Sequence, residues 1–191
     1  MNKDEKRQLL KEFDEFLENK TDHEEIRVLL KTEDPNNIKV GDTITFELKD
    51  GEEVSAMAMK KDEAGTLMVF VDCLEKEYRM NQGNTNKGGY EKSDLRKKLN
   101  GEILDRFPDS IKETMKRFDN GDYLRLLTEG EIFGENHYGV KDDYEQLEPM
   151  KDRRNRIAFQ GKGTNEWEWY WLQNSGVYSA TNFALCGSDG V

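Results

Sequence analysis

Trp167, Trp169 and Trp171 stand at every second position of one short run, Trp167-Glu-Trp-Tyr-Trp-Leu-Gln-Asn174, and no other feature of the chain limits the fold so strongly. Side chains alternate across a strand and an indole buries a large area, so this spacing predicts a strand with a wide apolar wedge on one face. Glu168, Tyr170 and Leu172 fall on the opposite face. Trp169 and Trp171 are expected in or against the core, and Trp167, next to the glycine-bearing loop at 161–165, at the surface. A turn at 174–177 and a second strand over 180–186 follow. The sequence then ends at Val191, which reads as a fold cut before its closing strand.

Upstream, Leu9, Leu10, Phe13, Phe16 and Leu17 recur at helical spacing, and Ile26, Leu29 and Leu30 repeat the pattern after a break at 19–22. Residues 1–37 are therefore expected to form an amphipathic helical arm, ended by Asp34-Pro35, with the main domain over 38–191. A three-stranded antiparallel meander is predicted over 43–48, 54–59 and 66–74, with Asp50-Gly51 as its first tight turn. Ser93 is placed to cap a helix carrying Leu95, Leu99, Ile103 and Leu104, and Ile111, Met115 and Phe118 continue its stripe. Leu124 lies in a short strand, Thr128 and Glu131 have capping-box spacing, and Ile132-Phe133 begins a helical turn that Gly134 closes. A last helix is predicted over 148–159.

Charge excludes one function class. With 29 Lys and Arg against 40 Asp and Glu, the net charge of −11 opposes a phosphate backbone, so sequence-general nucleic-acid binding is not expected. The basic run at 151–156 reads as a solvated helix face. No apolar run reaches the roughly 18 residues of a membrane span, and the first residues lack a secretory apolar core. The expectation is a cytoplasmic protein, in which Cys73 and Cys186 are buried free thiols.

No catalytic constellation emerges, and neither a metal nor a cofactor is expected. His23 and His137 have no second ligand at zinc spacing, and the glycines of 83–89 match no phosphate or dinucleotide loop. Glu166, Glu168 and Asp189 are the only carboxylates we weigh for a hydrolase.

Several ordered motifs, Tyr78-Arg-Met-Asn81, Asn84-Thr-Asn-Lys-Gly-Gly-Tyr90, Ser93-Asp-Leu-Arg96 with Leu99-Asn100, Leu124-Arg-Leu-Leu-Thr-Glu129 with Ile132-Phe-Gly134, and Trp169-Tyr-Trp-Leu-Gln-Asn174 with Ala180-Thr-Asn-Phe-Ala184, together resemble an uncharacterised domain family of bacterial and phage proteins. The resemblance covers about residues 38–191 and is similar in pattern to the C-type-lectin-like fold, as in the variable proteins of diversity-generating retroelements. It implies an α+β fold: a lectin-like core of antiparallel sheets with flanking helices, here without the closing strand, plus the N-terminal helical arm. Gln173 stands where that family often has arginine. The related sulfatase-activating enzymes use a cysteine pair near the C-terminal end; Cys186 has no neighbouring partner, so that activity is not carried over.

The function these readings imply is a non-enzymatic ligand- or protein-binding or display module, phage- or prophage-associated, with a virion as one place it would be carried. Its binding surface is placed at Asn174, Ser175, Tyr178, Ser179 and Asn182, beside Trp167, because tyrosine gives contact area at little entropic cost and Ser and Asn adapt their hydrogen bonds. The partner is an unidentified protein or small ligand, and the arm or an open sheet edge offers a route to self-association. The alternative is an acidic phage regulatory or structural protein that occupies a basic partner surface.

Overall fold

The structure is a computed structural model, and it describes residues 26–32, 38–161 and 166–191. Of the arm expected over residues 1–37, residues 1–25, with His23, and 33–37 lie outside the described residues.

The fold is α+β and its sheets are antiparallel. Strands β1 (Leu29–Thr32), β2 (Thr43–Glu47), β3 (Glu53–Asp62), β4 (Gly65–Phe70) and β5 (Leu124–Arg125) form one sheet in the order β2-β3-β4-β1-β5. Two smaller sheets pair β6 (Ala158–Phe159) with β7 (Trp167–Glu168) and β8 (Tyr170–Ser175) with β9 (Phe183–Cys186). The helices are short: α1 (Asp94–Lys98), extended by a π-helical turn Leu99–Ile103, α2 (Asp109–Lys112) and α3 (Glu129–Phe133).

The meander forms as its turn chemistry demands. Gly51 has φ of 92°, a conformation that a side chain resists, and its N–H closes the turn onto the Leu48 carbonyl at 2.9 Å. Both helix caps also form as expected: Ser93 Oγ accepts from the Arg96 N–H at 3.1 Å, and Thr128 and Glu131 close a reciprocal capping box. Leu95, Leu99 and Ile103 are fully buried beneath the sheet residues they face.

Three expectations are corrected. Ile26, Leu29 and Leu30 are not helical; they enter β1, which pairs with β4 on one side and β5 on the other. Period two explains it: Ile26, Val28 and Leu30 pack into one apolar cluster and Leu29 into the other, so both faces of the segment are buried. The helix predicted over 148–159 is two 3-10 turns, Glu148–Lys151 and Arg153–Arg156, followed by β6; the Asp152 side chain ends one turn and caps the next through the Arg154 N–H at 3.0 Å. The helical stripe through Met115 and Phe118 stops at Lys112, and Met115 bridges Thr32 as extended chain.

The tryptophans stand as expected: Trp167 is 58% exposed, Trp169 and Trp171 are half-buried, and Trp171 packs against the larger apolar cluster. The most deeply buried face of β8 is the other one, Tyr170, Leu172 and Asn174. Arg27 accounts for this. It is buried, its guanidinium stacks 5.0 Å from the Tyr170 ring, and it donates to the Phe70 carbonyl at 3.0 Å, the Asn155 carbonyl at 3.1 Å and the Tyr170 hydroxyl at 3.1 Å. A guanidinium satisfied on several sides anchors the phenol and thereby fixes which face of β8 turns inward.

Candidate functional site

Residues 136–140 and 176–182 meet at one end of the β8–β9 hairpin and form a single surface. The Val140 N–H donates to the Ser175 carbonyl at 2.8 Å and the Val177 N–H to the Tyr138 carbonyl at 3.0 Å, with a bridge between Gly139 and Gly176. These bonds bring Tyr138, Val140, Val177 and Tyr178, which are 66%, 56%, 52% and 86% exposed, onto neighbouring backbone. Large apolar side chains left in water on adjoining loops mark a contact surface more often than singly scattered ones do.

The first loop is shaped by a buried carboxylate. Glu129, the first residue of α3, is fully buried and accepts from the N–H groups of His137 at 3.3 Å, Tyr138 at 3.0 Å and Gly139 at 2.8 Å. Charge-assisted bonds of this kind are about twice as strong as neutral ones. Gly139 passes so close that a Cβ there would lie 2.2 Å from the Asn174 Cβ, so the approach needs glycine.

Asp142 forms a second anchor. It accepts from Asn136 Nδ2 at 2.8 Å, Asn174 Nδ2 at 2.7 Å and the Gly130 N–H at 3.2 Å through one oxygen, and from the Tyr144 N–H at 3.0 Å through the other. Burial pushes its pKa up, but the side-chain bonds from Asn136 and Asn174 and the backbone bonds outweigh it and hold the group below the ordinary carboxylate value.

The second loop is gathered by one amide. Asn86 Nδ2 faces the carbonyls of Ser179 at 2.8 Å, Asn182 at 2.9 Å and Gly176 at 3.3 Å, and the Asn86 N–H donates to the Ala180 carbonyl at 2.9 Å. Ser179 and Thr181 hydroxyls bond each other at 2.8 Å, and Thr181 bonds Asn182 Oδ1 at 2.8 Å.

The residues placed at the site from sequence therefore separate. Tyr178 projects, Ser179 and Asn182 lie in the loop that presents it, and Ser175 supplies backbone to the join. Asn174 does not project: it is 6% exposed, accepts from the Glu129 N–H at 2.8 Å and donates to Val140 and Asp142, so its amide is consumed inside the protein. Trp167 packs edge-on against Phe159 at 6.5 Å, on β7 and not on the two loops. Asn86, Glu129 and Tyr138 were not singled out from sequence. Only the glycine- and asparagine-rich run at 83–89 hinted that Asn86 sat in a special turn.

A cleft of about 330 Å³ lies on the other side of the 176–182 loop, between residues 79–85 and the aromatic pair Trp171 and Phe183. Asn182 and Thr181 line it from the loop.

The remaining candidates are accounted for locally. Arg153 pairs with Asp189 at 2.9 Å, Arg154 with Asp152 at 2.5 Å and Lys151 with Glu148 at 2.5 Å, so much of the basic run is neutralised within its own surface. Asp189 is further engaged by the Val191 N–H at 3.2 Å. Cys73 and Cys186 are buried free thiols, and burial pushes the Cys186 pKa up. Among the described residues there is no group of three or more His, Cys, Asp and Glu side chains suited to a metal ion, and no helix long and apolar enough to cross a membrane.

Comparison of the chain with protein-family models, with curated proteins and with solved structures returns no match.

Proposed function

We propose that the protein is a binding module whose recognition surface is the joined pair of loops carrying Tyr138, Val140, Val177 and Tyr178. One observation carries the reading: Tyr178, 86% exposed, stands on a loop whose carbonyls are collected by a single asparagine amide. A side chain held out on ordered backbone loses little entropy on binding, and tyrosine supplies broad contact with a hydroxyl at its tip. The antiparallel sheets, the short helices and the loop surface at one end of the β8–β9 hairpin are compatible with a C-type-lectin-like core, and the phage-linked display role follows from that resemblance.

Selection of binders from a random peptide library displayed on phage, with the folded protein as bait, tests the proposal. Recovered peptides are expected to lose at least tenfold in affinity for Tyr178→Ala and Tyr138→Ala, and to bind the distant Lys49→Ala variant as they bind the parent. Peptides that bind all four proteins equally, or no enrichment over a blank surface, would remove it.

A further inference from the structure

We propose that strand β2 is a homodimer interface, at which two copies of the chain join edge to edge, antiparallel, about a two-fold axis through Thr45. This surface is separate from the tyrosine loops and does not depend on them.

The two edges of the five-stranded sheet are treated differently. Beside β5, the Asn100 side chain accepts from the Tyr123 and Leu124 N–H groups at 2.7 and 3.1 Å and donates to the Leu124 carbonyl at 2.9 Å, so an amide closes that edge. β2 lies at the other end of the order, and its ladder with β3 shows which of its groups are free. The Leu48 N–H bonds to the Glu52 carbonyl at 2.8 Å and the Ala58 N–H to the Asp42 carbonyl at 2.9 Å, and hydrogen-bonded pairs alternate along an antiparallel ladder. Ile44 and Phe46 therefore bond to β3, while the N–H and C=O groups of Thr43, Thr45 and Glu47 point away from it. The Ser55 carbonyl agrees: opposite Thr45, it turns to the β4 side and accepts from the Val71 N–H at 2.7 Å. Thr43, Thr45 and Glu47 are exposed, and their backbone groups have no partner among the described residues. Proteins shield such an edge with lysine, proline, a bulge or a covering segment; Thr43-Ile-Thr-Phe-Glu47 has no lysine or proline and pairs with β3 without a bulge.

The strand is complementary to itself. Pairing centred on Thr45 sets that residue against its equivalent, Thr43 against Glu47 and Ile44 against Phe46, so every outward N–H meets an outward C=O. Phe46 rests on Phe70 at 6.1 Å and Phe107 at 5.8 Å, and the parts of Ile44 and Phe46 still in water face each other across the junction. Thr–Thr and aromatic–β-branched pairs are favourable across strands. Charge fixes the register. Glu47 lies opposite Thr43, so no carboxylate meets another in a chain of net charge −11, whereas centring the pair on Glu47 sets two carboxylates face to face. Centring it on Thr43 leaves Glu47 beyond the partner strand, so Thr45 is the one centre that uses all of β2. A strand of this length spans about 17 Å and buries less than the roughly 800 Å² per partner of a standard interface, so the dimer dissociates on dilution.

Sedimentation equilibrium of the full chain up to about 1 mM, with hydrogen exchange read by NMR at the Thr43, Thr45 and Glu47 amides, provides the test. A monomer–dimer equilibrium is expected, in which those three amides gain protection as the dimer forms while Ile44 and Phe46 are protected at every concentration. Thr45→Lys and Thr45→Glu each set like charges face to face across the axis and should each weaken dimerisation at least tenfold, with the backbone spectrum of the core unchanged because this side chain is exposed. Their equimolar mixture should recover the dimer, and Tyr178→Ala should dimerise as the parent does. The proposal is overturned if the chain stays monomeric up to about 1 mM, if the mixture associates no more tightly than either variant alone, or if Tyr178→Ala abolishes the dimer. Equal protection of the three edge amides at the lowest and highest concentrations would also overturn it, since another part of the same chain would then cover β2.

Discussion

Replacing Asn86 with aspartate keeps the side chain's shape and turns its donor group into an acceptor. In the parent the Nδ2 hydrogens serve the Ser179 and Asn182 carbonyls at 2.8 and 2.9 Å, with Gly176 more distant at 3.3 Å. Two bonds are lost at about 1 kcal/mol each, and a carboxylate oxygen facing those carbonyls cannot stay in place, so the loop opens at a cost of about 2 kcal/mol. Converted at 1.36 kcal/mol per factor of ten, that is roughly a 30-fold rise in local opening. Hydrogen exchange read by NMR should show it at the Gly176 and Val177 N–H groups, which bond to Asn182 and Tyr138, while the Phe70 and Leu74 N–H groups, bonded to Val28 and Ile26 in the sheet, keep their rates. Equal exchange of the loop amides in the parent and in Asn86→Asp would refute the idea that this amide organises the loop.

Three more outcomes follow from buried groups near the site. Glu129→Gln sets an NH2 group against backbone donors in a fully buried position and should lower unfolding stability by about 3 kcal/mol in urea denaturation; a loss under 1 kcal/mol contradicts the anchor. Arg125 and Glu131 form a buried ion pair with bonds of 2.8 and 2.5 Å, so Glu131→Gln should cost about 3–5 kcal/mol, and Arg125→Met with Glu131→Leu together much less than the sum of the two single changes. Asp142 has a folded pKa below its unfolded value near about 3.9, so its contribution is present in full above that pH and is lost as pH falls through the folded value; Asp142→Asn should flatten the acid limb of the stability curve below about pH 4, and an unchanged limb would speak against it.

Local signals in the sequence were readable where a single side chain acts on its own turn. Ser93, the Thr128 and Glu131 pair and Gly51 each act within three residues, and each appears where pattern placed it. β1 was misread because Ile26, Leu29 and Leu30 satisfy helical spacing with only three points, and the deciding fact, burial on both faces, is supplied by β4 and β5 from 34 residues away or more. Alternation along 167–174 correctly separated two faces but not which is the more deeply buried, since that depends on Arg27 reaching Tyr170 across 143 positions.

The site shows the same division. Tyr178 was visible as a tyrosine in a polar turn. Asn174 looked equally available, yet its partners Glu129 and Val140 lie 45 and 34 residues away and absorb it. Beyond the turn-rich run around Asn86, neither Asn86 nor Glu129, which shape the two loops, shows in its own neighbourhood what it holds, because the groups are backbone carbonyls up to 96 residues distant and backbone N–H groups on a separate loop.

Backbone nitrogen-15 order parameters for residues 137–140 and 176–182 of the free protein probe most directly whether the tyrosine surface is built before any partner arrives. Values near about 0.85 in both segments, equal to those of the central sheet, are predicted. Values below about 0.6 in either segment would mean that the surface is assembled only on contact, and the account would fail.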